Sequence, residues 1–312
     1  MAELHVTGAL KRNPTLSRAL RSARDGWRRA LLRFSPTLFA RYRYWFATKK
    51  WLNLRHPRTF SEKLLWLMLR WRDPLKTRCG DKYGLRSYAR ERGLERLLPE
   101  LVGVYRRSQD IDFGALPDRF VLKCTHGCGF NILCPDKSRF DEKAAGRQLD
   151  EWLKTDFSRI YGELHYAEMT PLIICEKFLG DDRGGRPRDF KLFCFDGKVN
   201  CTMVCTDRAP DGIHATYHYY DRAWSTRLPY DRTSLGDASD IPKPESYEEM
   251  VEAAERLSEP FPFVRVDFYD VKGRAVIGEM TFTPAGCIDP DSTDLAQRVL
   301  GDLIKLPPAR RD

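Results

Sequence analysis

Two carboxylates sit inside apolar strand patterns where a core would have no use for them. Asp267 lies in Phe263-Val-Arg-Val-Asp-Phe-Tyr269, and Glu279 lies in Val276-Ile-Gly-Glu-Met-Thr-Phe282. A Lys272-Gly273 turn joins the two runs, so the carboxylates should face each other across a hairpin. Burying unpaired carboxylates is expensive. A divalent cation would relieve that cost, because Mg2+ takes one or two protein carboxylates and fills its shell with water and phosphate oxygens. Arg265 stands two residues before Asp267 and therefore shares its strand face.

Three other segments carry polar residues at the ends of apolar runs. In Phe120-Val-Leu-Lys-Cys-Thr-His-Gly-Cys-Gly-Phe-Asn131, Lys123 ends a strand and a loop containing Gly127 and Gly129 follows. Glycines let backbone N–H groups approach a phosphate, and a lysine adds a point charge. The GK[ST] tripeptide of a Walker A loop is absent, and a plain glycine-containing hairpin fits the same residues. In Leu172-Ile-Ile-Cys-Glu-Lys-Phe-Leu-Gly180 an apolar strand runs into Glu176 and Lys177. It reads either as an edge passing beside a nucleobase or as a strand leaving the core. In Arg188-Asp-Phe-Lys-Leu-Phe-Cys-Phe-Asp-Gly197, Asp189 and Lys191 share one face, with Phe190, Leu192 and Cys194 on the other. Such a pair is often only a solvated face.

The elements that must position these residues can be read from capping and periodicity. Thr59-Phe-Ser-Glu62 is a capping box ahead of an apolar run, Asp73-Pro74 opens a second helix, and Asp81–Arg92 a third. Strands are expected at Leu101–Tyr105, Phe120–Cys124, Asn131–Cys134, Leu172–Phe178, Asp189–Phe195, Lys198–Thr206, His214–Tyr220, Phe263–Tyr269 and Ala275–Thr281. Asp196-Gly197 should close a hairpin, and further helices are expected at Asp141–Thr155, Glu245–Ser258 and Asp291–Ile304. Strands and helices segregate more than they alternate, which predicts an α+β fold.

Charge narrows the partners. The 312 residues carry a net charge of +9, but residues 1–58 hold 14 Lys and Arg against two acids, leaving a mildly acidic body. A basic patch spread over a folded domain would suit nucleic acid; this distribution does not. From Leu16 to Phe34, apolar residues recur at helical spacing with arginines between them. That basic amphipathic helix either packs on the body or rests on an anionic membrane surface through residues 16–34. Nine scattered cysteines and no visible secretory signal predict a cytoplasmic protein, with a peripheral position on the inner face of the membrane if the helix binds lipid.

In this order the four segments resemble the ATP-grasp superfamily, and within it the TupA-like family of teichuronopeptide and polysaccharide biosynthesis. FVLKCTHGCGFNI, RDFKLFCFDGK and RVDFYDVKGRAVIGEMTFTPAG carry the likeness, which spans roughly Arg41 to Leu306. The resemblance implies two α+β lobes holding ATP between them. It divides the chain into a basic helical segment (1–58), a mainly helical N-terminal lobe (59–120) and a nucleotide- and metal-binding region (121–312) with a lobe boundary near 172–180. It implies that Lys123 contacts the α- and β-phosphates under a loop of Thr125, His126, Gly127, Cys128 and Gly129, with Lys82 near the nucleotide. Glu176 and Lys177 would flank the adenine, Phe178 would offer main-chain groups, and Asp189 would hold the ribose. Asp267 and Glu279 would bind Mg2+, with Thr281 where the superfamily often has a third ligand, an asparagine. Lys191 and Arg265 would act on the transferring phosphoryl group, Arg265 alternatively on a substrate carboxylate. The implied reaction is ATP- and Mg2+-dependent ligation of an amine to a carboxylate-bearing sugar or small molecule through an acyl-phosphate. A phosphotransferase acting on a hydroxyl and a non-catalytic membrane-surface binding protein are the alternatives.

Overall fold

The computed structural model describes residues 26–28, 30–180, 187–206, 215–237 and 240–308. Most of the basic helix expected at 16–34 lies outside the described residues, as does His214; residues 30–34 are helical. Helix α1 (Pro36–Thr48) starts at Ser35, whose hydroxyl accepts from the Leu38 N–H at 3.2 Å. Helix α2 (Phe60–Arg70) has the expected capping box: Thr59 Oγ1 accepts from the Glu62 N–H, and Glu62 Oε2 accepts from the Thr59 N–H. Asp73 caps α3 (Pro74–Gly80) through the Leu75 N–H at 2.9 Å. Helix α4 spans Gly84–Glu91, shorter than the sequence suggests, because Asp81 folds the preceding turn by accepting from the Tyr83 and Gly84 N–H groups. Among the described residues no helix is long and apolar enough to cross a membrane.

The strands form two antiparallel sheets. The first contains β1 (Leu101–Tyr105), β2 (Phe120–Cys124), β3 (Asn131–Cys134) and β4 (Ile173–Lys177) in the order β1-β4-β2-β3. Helix α5 (Glu142–Leu153) covers one face, where Leu149 packs with Phe120, Leu122, Cys124, Ile173 and Cys175. Period-two alternation then turns Lys123 and Glu176 to the opposite face. A short helix, α6 (Ser158–Tyr161), and a helical turn at Leu164–Glu168 lead from α5 to β4.

The second sheet contains β5 (Asp189–Phe195), β6 (Lys198–Thr206), β7 (Thr216–Asp221), β8 (Arg227–Leu228), β9 (Phe263–Val271) and β10 (Arg274–Thr281), in the order β10-β9-β5-β6-β7-β8. Its two tight hairpins fall at Asp196-Gly197 and Lys272-Gly273, where all four residues take positive φ, as the sequence predicts. One face packs on α7 (Tyr247–Ser258) and α4 through Phe190, Leu192, Val264, Val266, Phe268 and Ile277. The other packs on α2 and α8 (Asp294–Leu303) through Phe193, Phe195 and Phe263. Asp189, Lys191, Arg265 and Asp267 alternate with the first of these sets, so they cannot enter that core. They meet instead on the second face, where the apolar cover stops.

Candidate active site

The sheet-borne residues converge. In register, Lys191 lies opposite Asp267 and Asp189 opposite Tyr269. Asp267 is 3% exposed, and both its oxygens are engaged: Arg265 Nε donates to Oδ1 at 2.6 Å, and Arg265 Nη2 and Lys191 Nζ each donate to Oδ2 at 2.6 Å. Lys191 also meets Asp189 at 2.5 Å. Glu279 completes the group, 3.5 Å from Arg265 Nη2 and accepting from the Thr281 hydroxyl at 3.1 Å; that hydroxyl in turn accepts from Arg265 at 3.2 Å.

Glu279 reaches this face only because the strand is bulged. Ile277 and Glu279 are two residues apart and would share a face in a regular strand. Instead Ile277 pairs with Phe268 and Glu279 with Asp267, leaving Gly278 as an extra residue. A Cβ at position 278 would sit 3.1 Å from the Asp267 carbonyl oxygen and from the Tyr269 ring, so the bulge leaves little room for a side chain.

Electrostatics bind the cluster together. Burial pushes the Glu279 carboxyl up, but Lys82, Lys191 and Arg265 outweigh it and hold the group at about 2. Burial lowers Lys191, and Asp267 and Asp189 more than reverse that, so its ammonium stays charged. Burial likewise works against Arg265 and is overcome by Asp267 and Glu279. Three carboxylates face two cations within hydrogen-bonding range, with Lys82 further out. Among the described residues no group of three or more His, Cys, Asp and Glu side chains could hold a metal by itself. Two carboxylates and a hydroxyl with residual negative charge nevertheless fit Mg2+, which completes its shell with water and nucleotide oxygens.

The first sheet supplies the opposite wall. Lys123 Nζ donates to Glu176 Oε2 at 2.6 Å, and Arg86 on α4 donates to Glu176 Oε1 at 2.8 Å and to the Pro99 carbonyl at 2.8 Å. These residues line a narrow cleft together with Lys82, Leu85, Ile277 and Gly278, which places Lys123 across from the strand that carries Glu279. Lys82 links the two sides. Its ammonium donates to the Gly127 carbonyl, and after burial it is the strongest influence on Glu279.

The glycine loop is pinned from behind. The buried His126 ring nitrogen Nε2 meets the Trp152 carbonyl at 3.0 Å, and Thr125 is fully buried, its N–H donating to Leu172 O at 2.9 Å. Both side chains therefore point into the lobe. A Cβ on Gly127 would lie 2.7 Å from Phe130 and 2.8 Å from Phe157, so close packing, in addition to any ligand, requires glycine there. Burial and then Glu279 push the Cys128 thiol up, while Lys82 and Arg265 pull it down, so the exposed loop tip lies within electrostatic reach of the acidic cluster. Gly129 takes φ +77° and turns the chain back into β3.

Lys177 and Phe178 are not among the residues lining this cleft. Lys177 pairs with Glu100 at 3.1 Å, and Phe178 lies under the Arg119 guanidinium at 4.8 Å, its N–H directed at the Arg119 carbonyl at 3.5 Å. Glu176 is held in the Lys123–Arg86 clamp, with its carboxylate turned to those cations. The sequence reading missed Arg86. The spacing of Leu85, Tyr88 and Ala89 marks the buried side of α4, and Arg86 adjoins it, but the surrounding arginines make the segment look solvated. It also missed Tyr269, which burial and the neighbouring Asp189 and Glu279 push up.

Two antiparallel sheets, each backed by helices, thus enclose a cleft with a lysine and a glycine loop on one side and paired carboxylates on the other. The chain belongs to the TupA-like ATP-grasp family, whose family model matches residues 62–305. Comparison with curated proteins finds no match. Among solved structures, it is similar to D-alanine–D-alanine ligase from Bacillus anthracis complexed with ATP: 14% identity, TM-score 0.41, covering 71% of this chain and 57% of the ligase. It is also similar to L-amino acid ligase from Bacillus licheniformis: 14% identity, TM-score 0.43, covering 67% of this chain and 44% of that one. The chain thus spans less than two thirds of the length of either ligase.

Proposed function

We propose that the cleft binds ATP with Mg2+ and that the protein is a carboxylate–amine ligase. The observation that carries this reading is the Asp267–Glu279 pair, held in facing register beside Arg265 and Lys191 and tied through Lys82 to the glycine loop. In this reading Lys123 and the Thr125–Gly129 loop take the α- and β-phosphates, and Asp189 takes the ribose. Glu176 holds Lys123 in place. Asp267, Glu279 and the Thr281 hydroxyl would hold Mg2+. The bound ion would neutralise phosphate charge.

The chain's own contribution is alignment and charge. The acceptor carboxylate attacks the γ-phosphorus and ADP leaves, giving an acyl-phosphate. The amine then attacks the carbonyl carbon, phosphate departs and the nitrogen loses a proton. Arg265 and Lys191, fixed by Asp267 and Asp189, meet the charge that develops on the transferred phosphoryl group, and the protein needs no nucleophile of its own. We assign the acceptor to a sugar acid of a cell-surface polysaccharide on the family resemblance. Measuring acceptor-dependent ADP release tests the whole reading. A requirement for both a carboxylate and an amine supports the ligase; release with one hydroxyl acceptor alone makes the protein a phosphotransferase. No ATP turnover with any acceptor makes it a binding protein.

The basic N-terminal region fits peripheral contact with an anionic membrane. Phe34 is 85% exposed and Trp51 82%, and Leu38 and Trp45 lie on the outer side of α1 near Arg41, Lys49 and Lys50. Aromatic and cationic side chains together on one surface suit the headgroup boundary.

A further inference from the structure

A second pocket lies beside the end of β10, lined by Met68, Trp71, Lys76, Leu164 and His165, with Arg72, Asp73, Thr77 and Glu168 completing its wall. Lys76 is 3% exposed, yet among the described residues its ammonium has no hydrogen-bond or ion-pair partner, and the Trp71 ring lies 5.2 Å from it. The neighbouring carboxylates are committed elsewhere. Asp73 caps α3, Glu168 accepts from the Thr77 hydroxyl at 3.1 Å, and Glu163 accepts from the Thr283 hydroxyl. Next to Lys76, His165 is 7% exposed, and among the described residues its Nδ1 has no hydrogen-bond partner. Burial first, then the Lys76 charge, keeps that imidazole neutral, so Nδ1 is free to carry a proton and donate it. Leaving an ammonium and an imidazole nitrogen desolvated without partners is costly.

We infer that this pocket receives an oxyanion, a carboxylate or phosphate group of the acceptor, on Lys76 and His165 Nδ1, with Trp71 and Met68 against its less polar body. Its position joins it to the cleft. Helix α3 runs through Asp81 directly into Lys82, Phe282 packs 6.4 Å from His165, and Thr283, which holds Glu163, stands two residues beyond Thr281. The word acceptor rests on the proposed ligase reading; the oxyanion site itself does not. Burial draws the Lys76 amine down to about 8, so it remains mostly charged at neutral pH.

Calorimetric titration of the full chain tests this with three probes: glucuronate for a carboxylate, inorganic phosphate, and glucose as the neutral control. Glucuronate or phosphate should bind and glucose should not, and whichever anion binds names the oxyanion. Lys76→Met and, separately, His165→Ala should each weaken the anion by ~10-fold or more, the loss expected for a hydrogen bond to a charged group. Lys76→Arg should retain part of the affinity, which separates charge from fold should the methionine variant unfold. Failure of both anions to bind the wild type overturns the inference, as does undiminished binding by folded Lys76→Met. Titrating ATP into the same wild-type sample tests the nucleotide cleft separately. ATP bound without either anion removes the pocket and leaves the cleft; an anion bound without ATP does the reverse.

Discussion

Replacing Asp267 with Asn separates its part in chemistry from its part in the fold. Its side chain is 4% exposed and receives three hydrogen bonds of 2.6 Å from Arg265 and Lys191. Removing one partner of a buried ion pair costs about 3–5 kcal/mol when the remaining charge is left alone. Here neither cation is left alone: Lys191 keeps Asp189 at 2.5 Å, and Arg265 keeps Glu279 at 3.5 Å and Thr281 at 3.2 Å. The loss should therefore fall at the lower end, about 3 kcal/mol, or roughly 4–6 °C in melting temperature for a chain of 312 residues. That leaves the protein folded at 25 °C. Activity should fall much further, since removing one preorganised electrostatic group costs about 10²–10³-fold and Asp267 also orients two cations. The assay is coupled ADP release with the acceptor pair, run beside a thermal melt on the same preparation. Glu279→Gln is the companion variant: its carboxylate is 32% exposed, but Lys82, Lys191 and Arg265 hold it at about 2, so it too should melt below wild type at neutral pH while losing turnover to a similar extent. Full turnover in either folded variant would refute the metal-and-phosphoryl reading of the cluster.

Other variants probe parts of the molecule that do not touch the transferred group. Arg86→Met strips one cation from buried Glu176 and should lower stability by about 3 kcal/mol; adding Glu176→Gln should restore part of it, as read in urea melts of the four-member cycle. Burial raises Glu163 to about 7 from 4.5, so between those values the folded protein holds a proton that the unfolded chain has released. Its contribution therefore weakens as pH rises through that window, and Glu163→Gln should flatten that decline in a pH series of thermal melts. Glu279, held at about 2, has the opposite sign: its contribution is present above 4.5 and is lost as pH falls toward 2. Deleting residues 1–40, or replacing Phe34, Trp45 and Trp51 together by alanine, should release the protein from anionic vesicles in a flotation assay. Unchanged flotation, or none by the full chain, removes the membrane reading.

Local chemistry made much of the fold legible. Thr59 and Glu62 form a capping box because both residue types stand at the required spacing, and Asp196-Gly197 turns because both residues tolerate positive φ. Likewise, Arg265 and Asp267 share a face by alternation alone. What stayed hidden depends on which helix covers which sheet. The periodicity of α4 does not say that Arg86 will find Glu176, because that pair joins residues 90 positions apart. Similarly, nothing in Asp73-Pro-Leu-Lys76 distinguishes a buried ammonium from a solvated one. Its burial comes from Trp71 and from a turn at Leu164–Glu168 that local sequence does not connect to α3.

The facing of Asp267 and Glu279 is a subtler case, since counting residues from the turn does not produce it. A regular hairpin closed by Lys272-Gly273 pairs Val271 with Arg274 and, continuing outward, Phe268 with Ile277. The next pair would be Asp267 with Gly278, and Glu279 would fall opposite Val266 on the core side. One extra residue reverses this. With Gly278 bulged, Glu279 meets Asp267, Met280 meets Val266 and Thr281 meets Arg265. Deleting Gly278 should therefore leave every one of these pairs in place, because Ile277 and Glu279 become neighbours and alternate normally between core and cleft. The deletion should fold, with Glu279 still on the cleft side. It should weaken ATP, because Gly278 lines the cleft and bulges re-aim the side chains beside them. Deleting Ile277 instead would remove a fully buried core side chain and draw Gly278 into its place, and should cost about 2–5 kcal/mol. Urea melts of the two deletions, with ATP titrations where they fold, decide it. If the Gly278 deletion is as unstable as the Ile277 deletion, the bulge holds the hairpin together, and the argument that it only shifts the phase of β10 is wrong.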